Sequence, residues 1–168
     1  MTRVSTGHWT WIACLALLPW HMAQADPPES YAFTDFNNGL ARAQREQKPI
    51  FLYFGRYGCA WCDHVNRKTF SDPELKARYT ANYVLVYVDA EGGKRLRLPS
   101  GERVTEGELG VRLGAFATPL FVFMSPEGKT LAKIPGFKTV TDFNDYDRYV
   151  QGRHYESQTL MQFLGARP

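Results

Sequence analysis

Three unbroken apolar runs, each as long as a β-strand, are the strongest pattern in the chain. They cover residues 50–54, 83–88 and 120–124. Because apolar residues follow one another without alternation, both faces of these strands must be covered, as in a sheet between layers of helices. Residues 130–134 alternate more strictly, and the Ser-Pro-Glu-Gly run at 125–128 has the residues of a type I turn. The sequence therefore predicts a β-hairpin that ends in an edge strand.

Amphipathic helices are predicted between and around these strands. Apolar residues at helical spacing predict one helix over residues 33–47 and another over residues 105–113. A Ser-Asp-Pro-Glu run at 71–74 has the pattern of a capping box with an early proline, which predicts a helix of about eight to ten residues. A C-terminal helix is marked by Val140, Phe143 and Tyr146, and a shorter one after it by Leu160, Met161 and Leu164. This order of elements predicts an α/β sandwich in which helices flank a mixed central sheet.

The first 25 residues have the pattern of a cleavable signal peptide. Arg3 precedes a short apolar run at residues 11–18, and an Ala-Gln-Ala run at 23–25 forms a cleavage site. The apolar run is well below the roughly 18 residues that a transmembrane helix needs, although an N-terminal anchor that stays uncut is the alternative. We expect a signal peptide at 1–25, a linker at 26–30 and one folded domain at 31–168.

Composition narrows the class of protein without indicating a function. Of the 168 residues, 44% are hydrophobic and 22% are charged, which excludes a disordered tail, a collagen-like chain and a coiled coil. The formal net charge of +3 is too close to balance to favour nucleic acid or an anionic membrane surface as a partner. Function is therefore expected to depend on individual residues rather than on bulk charge.

Removal of the signal peptide leaves two cysteines, Cys59 and Cys62, in a compartment where disulfides persist. A bridge between residues three apart closes almost no loop, so it adds little stability. The pair follows the strand at 50–54 after a glycine-containing turn and precedes a predicted helix, so Cys59 lies at a helix N-terminus, where the dipole favours a thiolate. Cys62 lies one turn further, on the more buried face. A reactive outer thiol and a resolving inner thiol are what thiol–disulfide exchange requires.

Two other uses of the cysteine pair stay open, and a third is excluded. The pair is an inert disulfide in the first alternative. In the second, Cys59, Cys62 and His64 contribute to a zinc or copper site, although a closed zinc site needs four ligands. Covalent haem attachment is excluded because it needs a histidine directly after the second cysteine, and that residue is Asp63.

Several short motifs around the cysteines follow a known family pattern. They are residues 48–62 and 69–73, the Gly-Val-Arg run at 110–112, Thr118-Pro119, Gly128 and the Pro-Gly-Phe run at 135–137. Over most of residues 36–150 the chain resembles the thioredoxin family. Within it, the chain is similar to periplasmic members, namely SoxW-type thioredoxins of sulfur oxidation and the C-terminal thioredoxin-like domain of the transmembrane reductase DsbD. The tail at 149–164 is also similar to SoxW-type proteins. The resemblance implies a thioredoxin-like three-layer sandwich with an extra short C-terminal helix.

The resemblance also implies roles for individual residues. Cys59 takes the role of nucleophile and Cys62 that of the resolving cysteine. The Thr118–Pro119 peptide bond is expected to be cis and to face the dithiol. Client proteins are expected to contact the residues around the dithiol: Tyr57, Gly58, Trp61, Thr118 and Pro119.

Two positions depart from the family pattern. The tryptophan usual just before the first cysteine is Gly58 in this chain. The buried aspartate that many thioredoxins carry six residues before that cysteine is Tyr53. The group that moves a proton to or from Cys62 is therefore left open.

We expect a periplasmic thiol–disulfide oxidoreductase that acts as a disulfide reductase through Cys59 and Cys62. With only the helix dipole acting on Cys59, its pKa is expected at roughly 6–7.5 and the reduction potential at roughly −200 to −280 mV. A dithiol oxidant and a metal- or haem-delivery module are the alternatives. The basic segment at 91–106 is either a solvated loop or a rim beside the dithiol.

The expected function also determines which partners and cofactors are expected. No cofactor and no resident metal are expected. The partners are expected to be client proteins that contain disulfides, and a membrane electron donor of the DsbD type. We expect a monomer that binds no nucleic acid.

Overall fold

The computed structural model describes residues 27–166 of the chain. The signal peptide predicted at residues 1–25 lies outside the described residues. No helix within 27–166 has both the length and the apolar character that crossing a membrane requires.

Helices and strands alternate along the described chain, with one 3-10 helix near its end. In chain order the elements are α1 (Phe36–Glu46), β1 (Ile50–Gly55), α2 (Ala60–Lys68), α3 (Pro73–Asn82), β2 (Val84–Asp89), β3 (Arg95–Arg97), β4 (Arg103–Thr105), α4 (Glu106–Leu113), β5 (Leu120–Met124), β6 (Thr130–Pro135), α5 (Val140–Gln151), the 3-10 helix (His154–Glu156) and α6 (Leu160–Gly165).

A four-stranded mixed sheet with strand order β2-β1-β5-β6 forms the centre of the domain. β1 runs parallel to β2 and antiparallel to β5, and β5 pairs antiparallel with β6. Every residue of β1 and β5 is buried, as their unbroken apolar patterns predict. In the turn between β5 and β6, the N–H of Gly128 donates to the carbonyl of Ser125 at 2.9 Å. The predicted hairpin and its edge strand are confirmed.

Two apolar cores cover the two faces of the sheet, because alternate residues of each strand point to opposite sides. Phe51 and Tyr53 of β1 lie in the core under α2, α3 and α5, which is rich in aromatic rings and contains both cysteines. Leu52 and Phe54 lie in the other core, under α1 and α4. The predicted three-layer α/β sandwich, including a short C-terminal helix, is confirmed.

The helix predicted over residues 33–47 begins later than expected, at Phe36. Asp35 is its N-cap and accepts the backbone N–H of Asn38 at 3.1 Å. Thr34, directly before this cap, is paired in parallel with Val86 of β2. The chain is therefore extended before the cap, because its backbone bonds to the edge of the sheet instead of starting a helix.

The capping box predicted at 71–74 is wrong in detail. Asp72 caps α3, its carboxylate accepting the N–H of Leu75 at 2.8 Å, and Pro73 opens the helix. The hydroxyl of Ser71 instead donates to the carbonyl of Arg67 in the preceding helix. The cap is therefore a single aspartate bond rather than a reciprocal pair, although the helix lies where it was predicted.

β3 and β4 form a β-hairpin within the basic segment at 91–106, so this part of the segment is not the solvated loop that was one of its two alternatives. β3 and β4 pair antiparallel, and Leu96 and Val104 are buried in the core under α1. Asn37 at the start of α1 holds the backbone of Arg97, donating to its carbonyl at 2.7 Å and accepting its N–H at 3.1 Å. The hairpin is not apparent in the sequence, because each of its strands buries a single apolar residue and the neighbouring side chains are mostly charged or polar.

Candidate functional site

The turn between β1 and α2 places Cys59 at the start of the helix. Gly58 has a φ of +68°, a left-handed conformation that glycine adopts without strain. Cys59 is the N-cap of α2, and its sulfur accepts the backbone N–H of Cys62 at 3.1 Å. The sulfur therefore satisfies one free N–H of the first helical turn and lies where the helix dipole favours negative charge.

Cys59 and Cys62 form a disulfide, with their Cα atoms 5.2 Å apart. Cys59 is 6% exposed, whereas Cys62 is fully buried in the aromatic core. Cys59 is therefore the more accessible of the two residues, although its exposed fraction is small.

The loop between α4 and β5 brings Thr118 against the disulfide from the other side. The Thr118–Pro119 peptide bond is cis. The hydroxyl of Thr118 donates to the Cys59 sulfur at 3.1 Å, and the same sulfur lies 3.5 Å from the Thr118 carbonyl oxygen. Residues 59 positions apart in the sequence therefore meet at the reactive sulfur. Within the described chain, the donors to this sulfur are neutral groups.

Exposed aromatic side chains flank the disulfide. Tyr57 and Trp61 are each 61% exposed, although they lie within two residues of Cys59. The Trp61 ring packs against His64 and Phe137, with centroids 5.7 and 6.3 Å apart. Trp61 is therefore held at the surface by neighbouring rings rather than buried.

Phe116 is a further exposed ring that the sequence analysis missed. It is 81% exposed and lies two residues before Thr118, in the loop that contacts the disulfide. The sequence does not show whether a single phenylalanine in a loop is exposed or buried, because it has no neighbouring apolar pattern to compare with. The loop that contacts the disulfide therefore carries an exposed apolar ring.

Arg56, the charged residue nearest to Cys59 in the preceding turn, is occupied elsewhere. Its guanidinium forms an ion pair with Glu91 at 2.7 Å. Both side chains are solvent-exposed, at 48% and 62%, so the pair contributes little stability. The pair is relevant to the site because Glu91, which follows the carboxyl end of β2, holds the charge of Arg56.

A buried tyrosine occupies the sheet beside α2. The Tyr53 hydroxyl donates to the Oδ1 of Asn66 at 3.2 Å. Burial raises the pKa of Tyr53 well above its ordinary value, and Tyr87 and Asp63 nearby raise it further. The position that carries an aspartate in many thioredoxins is therefore a neutral hydroxyl here.

Within residues 27–166, no three side chains of His, Cys, Asp or Glu are grouped so that they could hold a metal ion. His64, the third ligand considered from the sequence, packs its ring against Phe137 with centroids 4.8 Å apart.

Comparison with curated proteins relates the chain to a bacterial disulfide reductase. It is 30% identical over 111 residues to the disulfide bond reductase DsbH of Chlamydia pneumoniae, which covers 66% of this chain and 62% of that protein. The chain spans less than two thirds of the length of the curated relatives that it matches.

Solved structures share the fold. A thioredoxin from Thermus thermophilus superposes with a TM-score of 0.59 at 25% identity, over 73% of this chain and 88% of that one. A thioredoxin-fold protein from Helicobacter pylori superposes with a TM-score of 0.61 at 22% identity, over 72% and 82% of the two chains. The sequence pattern of the thioredoxin-like domain matches residues 36–151. On this match, the chain belongs to the thioredoxin-like domain family.

Proposed function

We propose that this protein is a periplasmic thiol–disulfide oxidoreductase that reduces disulfides in client proteins. The observation that carries the proposal is the Cys59–Cys62 disulfide at the start of α2, whose outer sulfur contacts the loop with the cis peptide bond. A bridge of this span adds little stability, so a chemical role accounts for it better than a structural one. The similarity to the Chlamydia pneumoniae reductase supports the same class of reaction.

In the proposed reaction, the Cys59 thiolate attacks one sulfur of the client disulfide. A bond forms between Cys59 and that sulfur, the client disulfide breaks, and its other sulfur leaves as a thiolate. Cys62 then attacks the Cys59 sulfur, so the Cys59–Cys62 bond forms and the second client sulfur leaves. The thiol proton of Cys62 passes to the departing thiolate or to water. Two electrons have then moved from the protein to the client.

The accessibility of the two sulfurs supports this order of attack. Cys59 retains some exposure and Cys62 has none, so a folded client reaches the first sulfur and not the second. The exposed rings of Tyr57 and Trp61, with Gly58 between the tyrosine and Cys59, form an apolar surface for the client chain. An extended client segment beside Thr118 and Pro119 brings its disulfide to Cys59.

The direction of electron flow follows from what stabilises the Cys59 thiolate. A strong oxidant needs additional stabilisation of its reduced form, usually from charged neighbours. The donors to the Cys59 sulfur in the described chain are neutral, and Arg56 is paired with Glu91. A reductant is therefore favoured over an oxidant. Equilibration with glutathione buffers measures the potential, and a value more oxidising than about −150 mV would contradict this direction.

The proposed location depends on the N-terminal pattern at residues 1–25. A reductase outside the cytoplasm meets no reducing pool, so an electron donor in the inner membrane, of the DsbD type, is needed to reduce the Cys59–Cys62 disulfide again. Sequencing of the mature protein tests the location, with a new N-terminus near Asp26 as the expected result.

Trapping of the mixed disulfide tests the reaction itself. Cys62→Ser leaves the outer thiol without its resolving partner, so the variant is expected to retain client proteins as adducts that dithiothreitol releases. Cys59→Ser is expected to retain none, because Cys62 is buried. Mass spectrometry of the adducts identifies the clients, and equal trapping by both variants would show that the two roles are assigned wrongly.

A further inference from the structure

A hydrogen-bonded pair, the buried Tyr53 and the half-buried Asn66, lies on the side of α2 that carries Cys62. Tyr53 on β1 is fully buried, and its hydroxyl donates to the Oδ1 of Asn66 at 3.2 Å. Asn66 follows Cys62 by four residues on α2, so the two side chains are neighbours along one face of the helix. Tyr53 and Cys62 belong to the same buried core. The pair therefore lies beside the thiol that must complete the exchange.

The pair keeps the same charge throughout the reaction. Since burial raises the pKa of Tyr53, with Tyr87 on β2 and Asp63 on α2 adding to the effect, its hydroxyl donates a hydrogen bond and keeps its proton. The buried carboxylates of the described chain, Asp145 and Asp147, lie on α5 rather than on β1, β2 or α2. The hydrogen-bonded pair beside Cys62 is therefore neutral, and Asp63, the carboxylate next to Cys62 in the sequence, is half-buried rather than buried.

We propose that Tyr53 and Asn66 act together as positioning residues for the resolving cysteine. This inference depends on the exchange reaction proposed above. In the resolving step Cys62 loses its thiol proton to water, the Cys59–Cys62 bond forms, the Cys59–client bond breaks, and the client sulfur leaves as a thiolate. Negative charge passes from the Cys62 sulfur to the departing sulfur. Oriented dipoles that are already in place support this charge without reorganising, and the Tyr53 bond fixes the orientation of the Asn66 amide.

A single-turnover experiment separates capture from resolution. The reduced full-length protein is mixed with the symmetric disulfide of thionitrobenzoate, which releases one coloured thiolate when Cys59 is captured and a second when Cys62 resolves the adduct. Tyr53→Phe removes only the hydroxyl. We expect an unchanged first phase and a second phase slowed about fivefold, the factor that corresponds to one neutral hydrogen bond.

Tyr79→Phe is the matched control. It removes another buried tyrosine hydroxyl from the same core, one that donates to the carbonyl of Phe143 on α5 at 2.7 Å. Both phases are expected to be normal in this variant. If Tyr79→Phe slows the second phase as much as Tyr53→Phe, the hydroxyl of Tyr53 matters only for the core, and the inference is wrong.

A double-mutant cycle tests whether the two residues act as a pair. Asn66→Leu is expected to slow the second phase as Tyr53→Phe does, and the double variant is expected to be no slower than the slower single variant. A normal second phase in Tyr53→Phe, or multiplied effects in the double variant, overturns the inference. Absence of the first phase in the wild-type protein overturns instead the proposed exchange reaction.

Discussion

Thr118→Val removes the side-chain hydroxyl that donates to the Cys59 sulfur at 3.1 Å and keeps the shape of the residue nearly constant. In the reduced protein we expect the same hydroxyl to donate to the Cys59 thiolate. A hydrogen bond to a charged group contributes about 1.5–3 kcal/mol. Since Thr118 is only half-buried, the lower part of that range applies. At about 1.4 kcal/mol for each pKa unit, the loss is expected to raise the pKa of Cys59 by about one unit.

The same loss makes the protein a stronger reductant. The hydroxyl stabilises the thiolate, which exists only in the reduced form, so its removal shifts the equilibrium toward the disulfide. About 1.4 kcal/mol corresponds to 30 mV for a two-electron couple, and we therefore expect a reduction potential about 30 mV more negative. The shift applies at a pH where Cys59 of the wild-type protein is ionised.

Two measurements check this reasoning. The ultraviolet absorbance of the thiolate, followed against pH, gives the pKa of Cys59, and equilibration with glutathione gives the potential. Thr118→Ser is the control, because it retains the hydroxyl and is expected to keep both values close to those of the wild type. An unchanged or lower Cys59 pKa in Thr118→Val would refute the role given to this hydrogen bond.

Three further predictions concern the surroundings of the site. Glu91→Gln frees the Arg56 charge and is expected to shift the potential by up to about 20 mV in the oxidising direction, the equivalent of an exposed ion pair; glutathione equilibration measures it, and no shift is expected when Arg56→Gln is added. Trp61→Ala is expected to raise the KM for a protein disulfide and leave the reduction of a small aromatic disulfide unchanged, so equal losses on both would contradict a client-binding role. Asp35→Ala removes the N-cap of α1 and is expected to lower the free energy of unfolding by ~1 kcal/mol at neutral pH. Burial opposes ionisation of Asp35, but hydrogen bonds from Asn38 and the charge of Lys94 together hold the pKa of the carboxyl below its ordinary value. This stability is therefore present above the unfolded pKa and is lost as pH falls through the folded pKa. Chemical denaturation at two pH values checks the last prediction, which fails if the loss is the same at both.

Three strands of the sheet were predictable because they are marked by unbroken apolar runs, and the edge strand β6 because its alternating pattern follows a turn. The run at Leu120–Met124 matches β5 residue for residue. The β3–β4 hairpin was missed because its inward-facing residues, Leu96 and Val104, stand singly among arginines. The sequence pattern identifies a strand when several of its residues are apolar. It does not identify a strand that buries only one apolar side chain.

The position of Cys59 at the start of a helix was predictable for a similar reason, since strand, glycine turn and helix follow one another locally. Contacts across the fold were not. Nothing in the sequence indicates that the Thr118 hydroxyl reaches Cys59, or that Glu91 holds Arg56, because both contacts depend on how the strands are ordered. The resemblance to the thioredoxin family indicated that the loop of Thr118 would face the cysteines. It did not indicate which atom of Thr118 contacts the Cys59 sulfur.

The two edges of the central sheet differ in how they meet solvent, and this bears on aggregation. At the β2 edge, the backbone of Thr34 bonds to the strand on both sides of Val86. At the β6 edge, Lys133 is an exposed charge and Pro135 has no N–H to offer a further strand. With both edges blocked in this way, a client chain meets an apolar surface at the dithiol and no unpaired backbone edge along the sheet. Replacement of Lys133 and Pro135 is therefore expected to let client chains pair with the β6 edge and aggregate with the protein, without any change at the sulfur atoms.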